Sequence, residues 1–138
     1  MAGVIDMQLM RYLNLFERVT GVRTSHVFKY NEAIFFCVPG SFISKAIGKN
    51  AVNIKKLNEI LQRKIKVVCF PNGEEDIKRF IQSIVEPVVF KDLQIVNGEI
   101  VLNASTQSKA ALIGRNKRRF LEMQKILRDF FGKEFRIA

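Results

Sequence analysis

The two halves of the chain share one pattern at a spacing of 66 residues. Overlaying them at this shift aligns apolar residues with apolar residues, and glycine and asparagine with themselves: Ile34 with Ile100, Ile47 with Ile113, Gly48 with Gly114, Asn50 with Asn116, and Ile60-Leu61 with Ile126-Leu127. Such a repeat predicts two copies of one supersecondary unit. Each copy has roughly 65 residues, a size at which stability is marginal. We therefore expect the two copies to pack together.

Hydrophobic periodicity predicts the same order of elements in each half: helix, strand, strand, short helix, helix and strand. In the first half the pattern predicts a helix over 5–19, strands over 25–30 and 33–38, a short helix over 42–47 with Ser41 as N-cap, a helix to about residue 63, and a strand over 65–70. In the second half it predicts a helix around residues 77–84, strands over 88–96 and 99–105, a short helix over 107–113, a long helix, and a strand over 134–137. The predicted fold class is α+β.

A single strong break separates the two copies. Pro71-Asn72-Gly73 combines three turn-forming residues, and the three acidic residues that follow it are favourable in the first turn of a helix. This segment is a short linker, and it predicts one domain over 1–71 and a second over 72–138.

The charge of the chain points to a polyanionic partner. Twenty-three Lys and Arg against thirteen Asp and Glu give a formal net charge of +10. Residues 45–66 contain seven basic and one acidic residue, and residues 100–138 contain nine and three. The excess is thus gathered into equivalent parts of the two copies, which favours nucleic acid as the partner over a generally solvated surface.

A glycine lies between the two helices that close each copy. At Gly48 and Gly114 the absence of a Cβ would let a ligand approach the main chain, and the next helix begins there with unpaired N–H groups. A phosphate suits this geometry. Ile47 and Ile113, directly before the glycines, are interpreted as core anchors. Replacing Gly48 with Asp is expected to weaken ligand binding and to leave the fold intact.

The two segments 46–54 and 112–120 resemble the I-G-x-x-G signature of KH domains, and the element order resembles their type II version. A tandem pair in a small basic chain is similar to the archaeal NusA-like transcription factors, and the resemblance covers essentially the whole chain. It implies binding of single-stranded RNA, with each loop holding about four nucleotides of backbone, and a role on nascent transcripts in elongation or termination. The RNA-binding residues implied are Lys45, Gly48, Lys49, Asn50, Ala51 and Lys55, with Lys109, Gly114, Arg115, Asn116, Lys117 and Arg118.

Both loops depart from the family pattern at its fourth position, where glycine is usual. Ala51 stands there in the first loop, and we expect it to take right-handed helical dihedral angles at the start of the helix. Lys117 stands there in the second loop, where its side chain either replaces the main-chain contact with an ion pair or marks a loop that has lost the clamp. Arg118 and Arg119 favour retention of the phosphate contact, because the positive end of the helix dipole disfavours cations that no ligand shields.

An enzyme is not indicated. His26 is the only histidine and falls in a predicted strand, without the residue context of a nucleophile. Gly48-Lys49 lacks the spacing and the Ser or Thr of a nucleotide-binding P-loop. Cys37 and Cys69 lie in apolar runs and are interpreted as buried hydrophobic residues. No metal site, cofactor or small-molecule substrate is expected.

Two other functions stay open on the sequence. A ribosomal or ribosome-assembly KH protein would bind structured ribosomal RNA, and a polymerase-docking protein would use degenerate KH folds as a scaffold. RNA polymerase is thus a second candidate partner beside the nascent transcript. Since the sequence has neither a run of about 20 apolar residues nor a signal-peptide pattern, we expect no membrane association and a cytoplasmic protein.

Overall fold

The computed structural model describes residues 7–138, and these residues form two compact units. The first unit ends at Phe70 and the second begins at Pro71. The domain bounds 1–71 and 72–138 stay a prediction. Over the described residues, every helix is too short or too polar to cross a membrane.

The first unit is a three-stranded sheet with three helices. Its elements are α1 (Met7–Thr20), β1 (His26–Tyr30), β2 (Ala33–Val38), α2 (Ile43–Ile47), α3 (Val52–Leu61) and β3 (Lys64–Cys69). The central strand β2 pairs antiparallel with β1 and parallel with β3. A hairpin makes the first pairing, and the second requires the chain to cross over through α2 and α3.

The second unit repeats this topology. Its elements are α4 (Ile77–Val85), β4 (Asp92–Val96), β5 (Glu99–Asn103), α5 (Thr106–Ile113), α6 (Arg118–Phe131) and β6 (Glu134–Ile137). The central strand is β5, antiparallel to β4 and parallel to β6. With fourteen residues against ten, α6 is about one turn longer than α3. The last strands are therefore offset by 70 residues rather than 66.

Each unit has its own apolar core. In the first, Phe16 of α1 stacks on Phe36 of β2 with ring centroids 4.3 Å apart, and Leu57 of α3 joins the same cluster. In the second, Phe80 of α4 lies 4.9 Å from Phe130 of α6, between ring centroids. Among the core residues with almost no exposed surface are Phe16, Ile34, Phe36 and Leu57 in the first unit, and Phe80, Ile81, Ile100, Leu102 and Leu127 in the second.

Several predicted element bounds are wrong. Ser41 does not cap α2, because residues 40–42 form a 3₁₀ turn and Phe42 occupies the N-cap position. The strand predicted over 88–96 begins only at Asp92, since residues 86–88 complete the turn after α4, where Val88 N–H donates to the carbonyl of Val85. The strand predicted to reach residue 105 ends at Asn103, because Ser105 is used as the N-cap of α5. Residues 5 and 6 of the predicted first helix lie outside the described residues.

Candidate nucleic-acid interface

The two predicted loops lie at equivalent places, each between a short helix and the helix that follows it. The first joins α2 to α3 and the second joins α5 to α6. Both short helices end at the glycine, whose N–H donates to a carbonyl four residues earlier: Gly48 to Ser44 at 2.9 Å and Gly114 to Ala110 at 3.0 Å. The α2–α3 and α5–α6 connections can therefore be compared residue by residue.

The main chain follows the same path in both loops. Gly48 has φ 80° and ψ 166°, and Gly114 has φ 75° and ψ 175°. This region of φ and ψ is essentially restricted to glycine. Two residues later, Asn50 and Asn116 both have φ 56°, in the left-handed region that asparagine tolerates better than most residues.

The fourth loop position is also left-handed in both units. Ala51 has φ 58° and ψ 31°, and Lys117 has φ 60° and ψ 22°. The expectation that Ala51 takes right-handed helical angles is therefore wrong. Two consecutive left-handed residues reverse the chain within the loop, and the N–H of Ala51 and of Lys117 closes that turn on the glycine carbonyl, at 3.1 and 3.2 Å. Both residues adopt a conformation that would suit the family's usual glycine.

The space above each glycine is occupied by the protein itself. A Cβ at Gly48 would lie 2.9 Å from Nδ2 of Asn53, and one at Gly114 would lie 2.9 Å from Cγ of Arg119. This corrects the expectation for Gly48→Asp, because such a side chain would displace the first turn of α3 as well as block a ligand. The glycines are half-buried, so the main chain beside them keeps access to solvent.

The stretch of sequence around each loop contains basic residues and no acidic residue. Neither residues 33–58 nor residues 100–121 contain an Asp or Glu. Among the predicted cations, Lys109 is half-buried. The other six are exposed: Lys45, Lys49, Lys55, Arg115, Lys117 and Arg118. These side chains give each loop a local excess of positive charge.

Lys45 and Arg118 each have an additional neighbour. A Cβ at Gly21 would lie 3.6 Å from Cε of Lys45 and 3.8 Å from its Nζ, so this ammonium lies beside the C-terminal end of α1, where the helix dipole favours a cation. The Nε of Arg118 lies 4.0 Å from a carboxylate oxygen of Glu122, one turn along α6, and the Arg118 side chain is 65% exposed. Such an exposed pair contributes little to stability and leaves the guanidinium accessible.

The helices that follow the loops start without a side-chain cap. Neither Ala51 nor Lys117, the N-cap residues of α3 and α6, provides one. In α5, by contrast, the hydroxyl of Ser105 accepts a hydrogen bond from the N–H of Ser108 at 3.2 Å. The uncapped ends turn main-chain N–H groups and the positive end of the helix dipole toward the loops, an arrangement suited to an anion.

Asn53 and Arg119 have a role in the loops that the sequence does not predict. The sequence gives no indication of a role for Asn53, and for Arg119 it favours ligand contact. Asn53 Nδ2 donates to the carbonyl of Lys45 at 3.2 Å, and Arg119 Nη1 donates to the carbonyl of Ala111 at 2.9 Å. The 66-residue shift aligns these residues, but an amide and a guanidinium share only their ability to donate, so the alignment alone does not reveal a common role.

Within residues 7–138, no group of three or more His, Cys, Asp or Glu residues is placed to hold a metal ion. His26 begins β1, with its ring edge-on to Phe70 at 4.7 Å between centroids and its Nδ1 3.0 Å from the Ser25 hydroxyl. Partial burial lowers the pKa of His26. These contacts explain the presence of His26 as a packing residue at the start of β1.

Comparisons with known proteins agree with this architecture. The probable transcription termination protein NusA of Methanococcus vannielii is 31% identical over 83 residues, which make up 60% of this chain and 46% of that protein. The crystal structure of APE1850 is 26% identical, with a TM-score of 0.66 over 97% of this chain and 100% of that chain.

The chain is similar to archaeal NusA, and its two units have the element order of tandem type II KH domains. The predicted α+β fold with two KH units and the predicted resemblance to NusA-like KH proteins are thereby confirmed. The chain spans less than half the length of the NusA relative, and no protein-family profile matches it.

Proposed function

We propose that the protein binds single-stranded RNA through both loops and acts as a transcription elongation or termination factor on nascent transcripts. The observation that supports this most is the recurrence, in two units of different sequence, of one strained loop conformation within an acid-free, basic stretch. Left-handed conformations cost alanine or lysine stability, and their presence at both Ala51 and Lys117 favours a role for the loop shape itself.

In this proposal both the main chain and the basic side chains bind the RNA backbone. The first turns of α3 and α6, with their main-chain N–H groups and the positive ends of the helix dipoles, receive backbone phosphates, and Lys49 and Arg115 at the loop tips neutralise them. The RNA-binding residues remain those proposed from sequence: Lys45, Gly48, Lys49, Asn50, Ala51 and Lys55 in the first unit, and Lys109, Gly114, Arg115, Asn116, Lys117 and Arg118 in the second.

Apolar surface beside the cations supports an unpaired strand as the ligand. Val52, the first residue of α3, is 54% exposed, and Leu121, in the first turn of α6, is 55% exposed. Each lies one turn from a cation on the same helix, Lys55 and Arg118 respectively. A strand with splayed bases offers both a phosphate and an apolar face at this spacing, whereas a duplex shields its bases.

The transcriptional role rests on the similarity to NusA of Methanococcus vannielii. RNA polymerase is accordingly a proposed partner. A ribosomal role is the alternative, and it predicts a preference for folded RNA over an unstructured strand. The protein is proposed to act in the cytoplasm, without catalytic activity.

The first test is a titration of a labelled, unstructured RNA of about 12 nucleotides, long enough for two loops at about four nucleotides each. Lys49→Glu and Arg115→Glu should each weaken binding and reduce the log–log salt slope by about 0.7 or more, since each removes at least one phosphate contact. Three to four contacts per unit predict a slope near −2 to −3 for each.

Matched controls place the same charge change away from the loops. Lys64 follows α3, about 15 Å along the helix from the first loop, and Lys125 lies two turns into α6. Lys64→Glu and Lys125→Glu should change the affinity far less than the loop variants. Equal losses in the loop variants and their controls would show that binding depends on net charge alone and would refute the loop assignment.

A competition experiment separates the two RNA classes. The unstructured strand should displace labelled RNA more effectively than a hairpin of the same composition and charge. Tighter binding to the hairpin would support the ribosomal alternative. In a reconstituted transcription reaction, the wild-type protein should change the fraction of terminated transcripts, and the Lys49→Glu, Arg115→Glu double variant should not.

A further inference from the structure

A side chain crosses each loop and bonds the two helices that flank it. In the first unit, Asn53 in the first turn of α3 donates to the carbonyl of Lys45 in α2, at 3.2 Å. In the second, Arg119 in the first turn of α6 donates to the carbonyl of Ala111 in α5, at 2.9 Å. Donor and acceptor are eight residues apart in both cases, and the 66-residue shift aligns both. We call each of these bonds a loop staple.

The loop staples explain why glycine stands at the first loop position. A Cβ at Gly48 would lie 2.9 Å from the donating Nδ2 of Asn53, and one at Gly114 would lie 2.9 Å from Cγ of Arg119 and 3.2 Å from its main-chain nitrogen. These separations are closer than a carbon atom permits without displacement. The glycine therefore makes room for the stapling side chain in addition to allowing its own unusual dihedral angles.

The loop staples also act where the backbone needs support. The carbonyls of Lys45 and Ala111 belong to the last turn of their helices, where the helix itself provides no donor. The loops they span contain two consecutive left-handed residues each, a conformation that persists only when its surroundings hold it. Main-chain bonds within each loop, among them the one to the glycine carbonyl, and one loop staple close it.

We propose that Asn53 and Arg119 are positioning residues that hold the two loops in the conformation that receives phosphate. The proposal rests on the proposed RNA-binding function. It assigns Arg119 a different role from its neighbour Arg118: Arg119 acts through the carbonyl of Ala111, and Arg118 contacts phosphate directly.

In the second unit, substitutions of Arg119 separate its hydrogen bond from its charge. Arg119→Gln removes the charge and keeps an amide donor, and the shorter amide of Asn53 already reaches the equivalent carbonyl in the first unit. Arg119→Met removes both and keeps a long side chain. We expect Arg119→Gln to keep the wild-type affinity and salt slope, and Arg119→Met to weaken RNA binding about threefold to tenfold, the range of one hydrogen bond. Arg118→Gln should reduce the slope by about 0.7.

The outcomes of this series are distinct. If Arg119→Gln and Arg119→Met weaken binding equally and both reduce the salt slope, Arg119 contacts phosphate itself and the proposal is wrong for the second loop. If neither variant differs from the wild type, the loop staple does not position the loop. Rescue by Gln alone supports the proposal.

In the first unit the stapling residue has no charge, so its loss cannot remove an ion pair with phosphate. Asn53→Leu should weaken RNA binding about threefold to tenfold. Asn58→Leu is the matched control, because Asn58 of the same helix donates its side-chain amide to the carbonyl of Arg63 at 2.7 Å, at the opposite end of α3. Equal effects of the two variants on RNA binding would show that Asn53 contributes only to general stability and does not position the loop.

A measurement without RNA separates this proposal from the proposed function. Nuclear magnetic resonance couplings between the amide and Hα protons report the left-handed φ of Asn50 and Ala51 in the full chain. Asn53→Leu should change them and Asn58→Leu should not. Unchanged couplings in Asn53→Leu would overturn the loop staple even if RNA binds, whereas a wild-type protein that binds no RNA would overturn the proposed function and leave this result standing.

Discussion

The left-handed conformation of Ala51 predicts that Ala51→Gly stabilises the first unit. The sign of the change in unfolding free energy tests this prediction. Ala51 has φ 58° and ψ 31°, and this region costs an L-residue roughly 1–2 kcal/mol. Glycine removes that cost but adds backbone freedom to the unfolded chain, which offsets about 0.4–1 kcal/mol. The middle of both ranges gives a net gain of about 0.8 kcal/mol, or about 3–6 °C in Tm for a unit of this size.

The chain provides a probe that reports on the first unit alone. It has no tryptophan and two tyrosines, and both Tyr12 and Tyr30 are buried in the first unit. Tyrosine fluorescence during urea or thermal unfolding therefore follows that unit, while far-ultraviolet circular dichroism follows the helices of both. Ala51→Gly should shift the fluorescence transition to higher temperature.

Ala110→Gly is the control for this prediction. Ala110 is exposed in the regular helix α5, where the same chemical change costs about 1 kcal/mol. Circular dichroism should show this loss in the second unit. If Ala51→Gly also destabilises by about 1 kcal/mol, then Ala51 behaves as a right-handed helical residue and the reasoning on the loop is refuted.

Three further predictions concern the cores and helix ends. The hydrogen bond from Arg79 and its charge lower the pKa of Asp76 from 3.8 to about 2, so the ionised carboxylate stabilises the fold above pH 3.8 and this contribution is lost as the pH falls through about 2. Asp76→Asn should therefore lower Tm at neutral pH, and the difference from wild type should vanish near pH 2; a difference independent of pH would contradict this assignment. Ser105→Ala should cost the second unit about 1 kcal/mol through loss of the α5 cap, measured by urea unfolding, and no loss would mean that the cap is not formed in solution. Phe36→Ala should cost about 3–5 kcal/mol, enough to abolish the cooperative tyrosine transition of the first unit, whereas a preserved transition would show that Phe36 is not central to the core.

The repeat and its element order could be predicted because they depend on local signals. The strands 33–38 and 134–137 were predicted with the bounds that the structure shows, since runs of apolar and β-branched residues end at clear turns. The Asn97-Gly98 dipeptide likewise predicts the position of the turn in the second hairpin, and both residues have positive φ there.

The loop conformation could not be predicted from local preference, because there the tertiary structure overrides it. Alanine is the best helix former, so its place before α3 indicated right-handed angles. Reversing the chain between α2 and α3 instead requires a left-handed residue at this position. The loop staples were missed for a related reason: each joins residues eight apart through a main-chain carbonyl, which carries no mark in the sequence.

The additional turn of α6 shows where a unit of this kind tolerates a change of length. Four residues rotate a helix by about 400°, only about 40° beyond a complete revolution, so the apolar side of α6 stays directed at its sheet on both sides of the added residues. Two extra residues would rotate the distal half by about 200° and turn that side to solvent. Insertions of whole turns at this helix are therefore compatible with an unaltered loop at one end and a correctly paired final strand at the other.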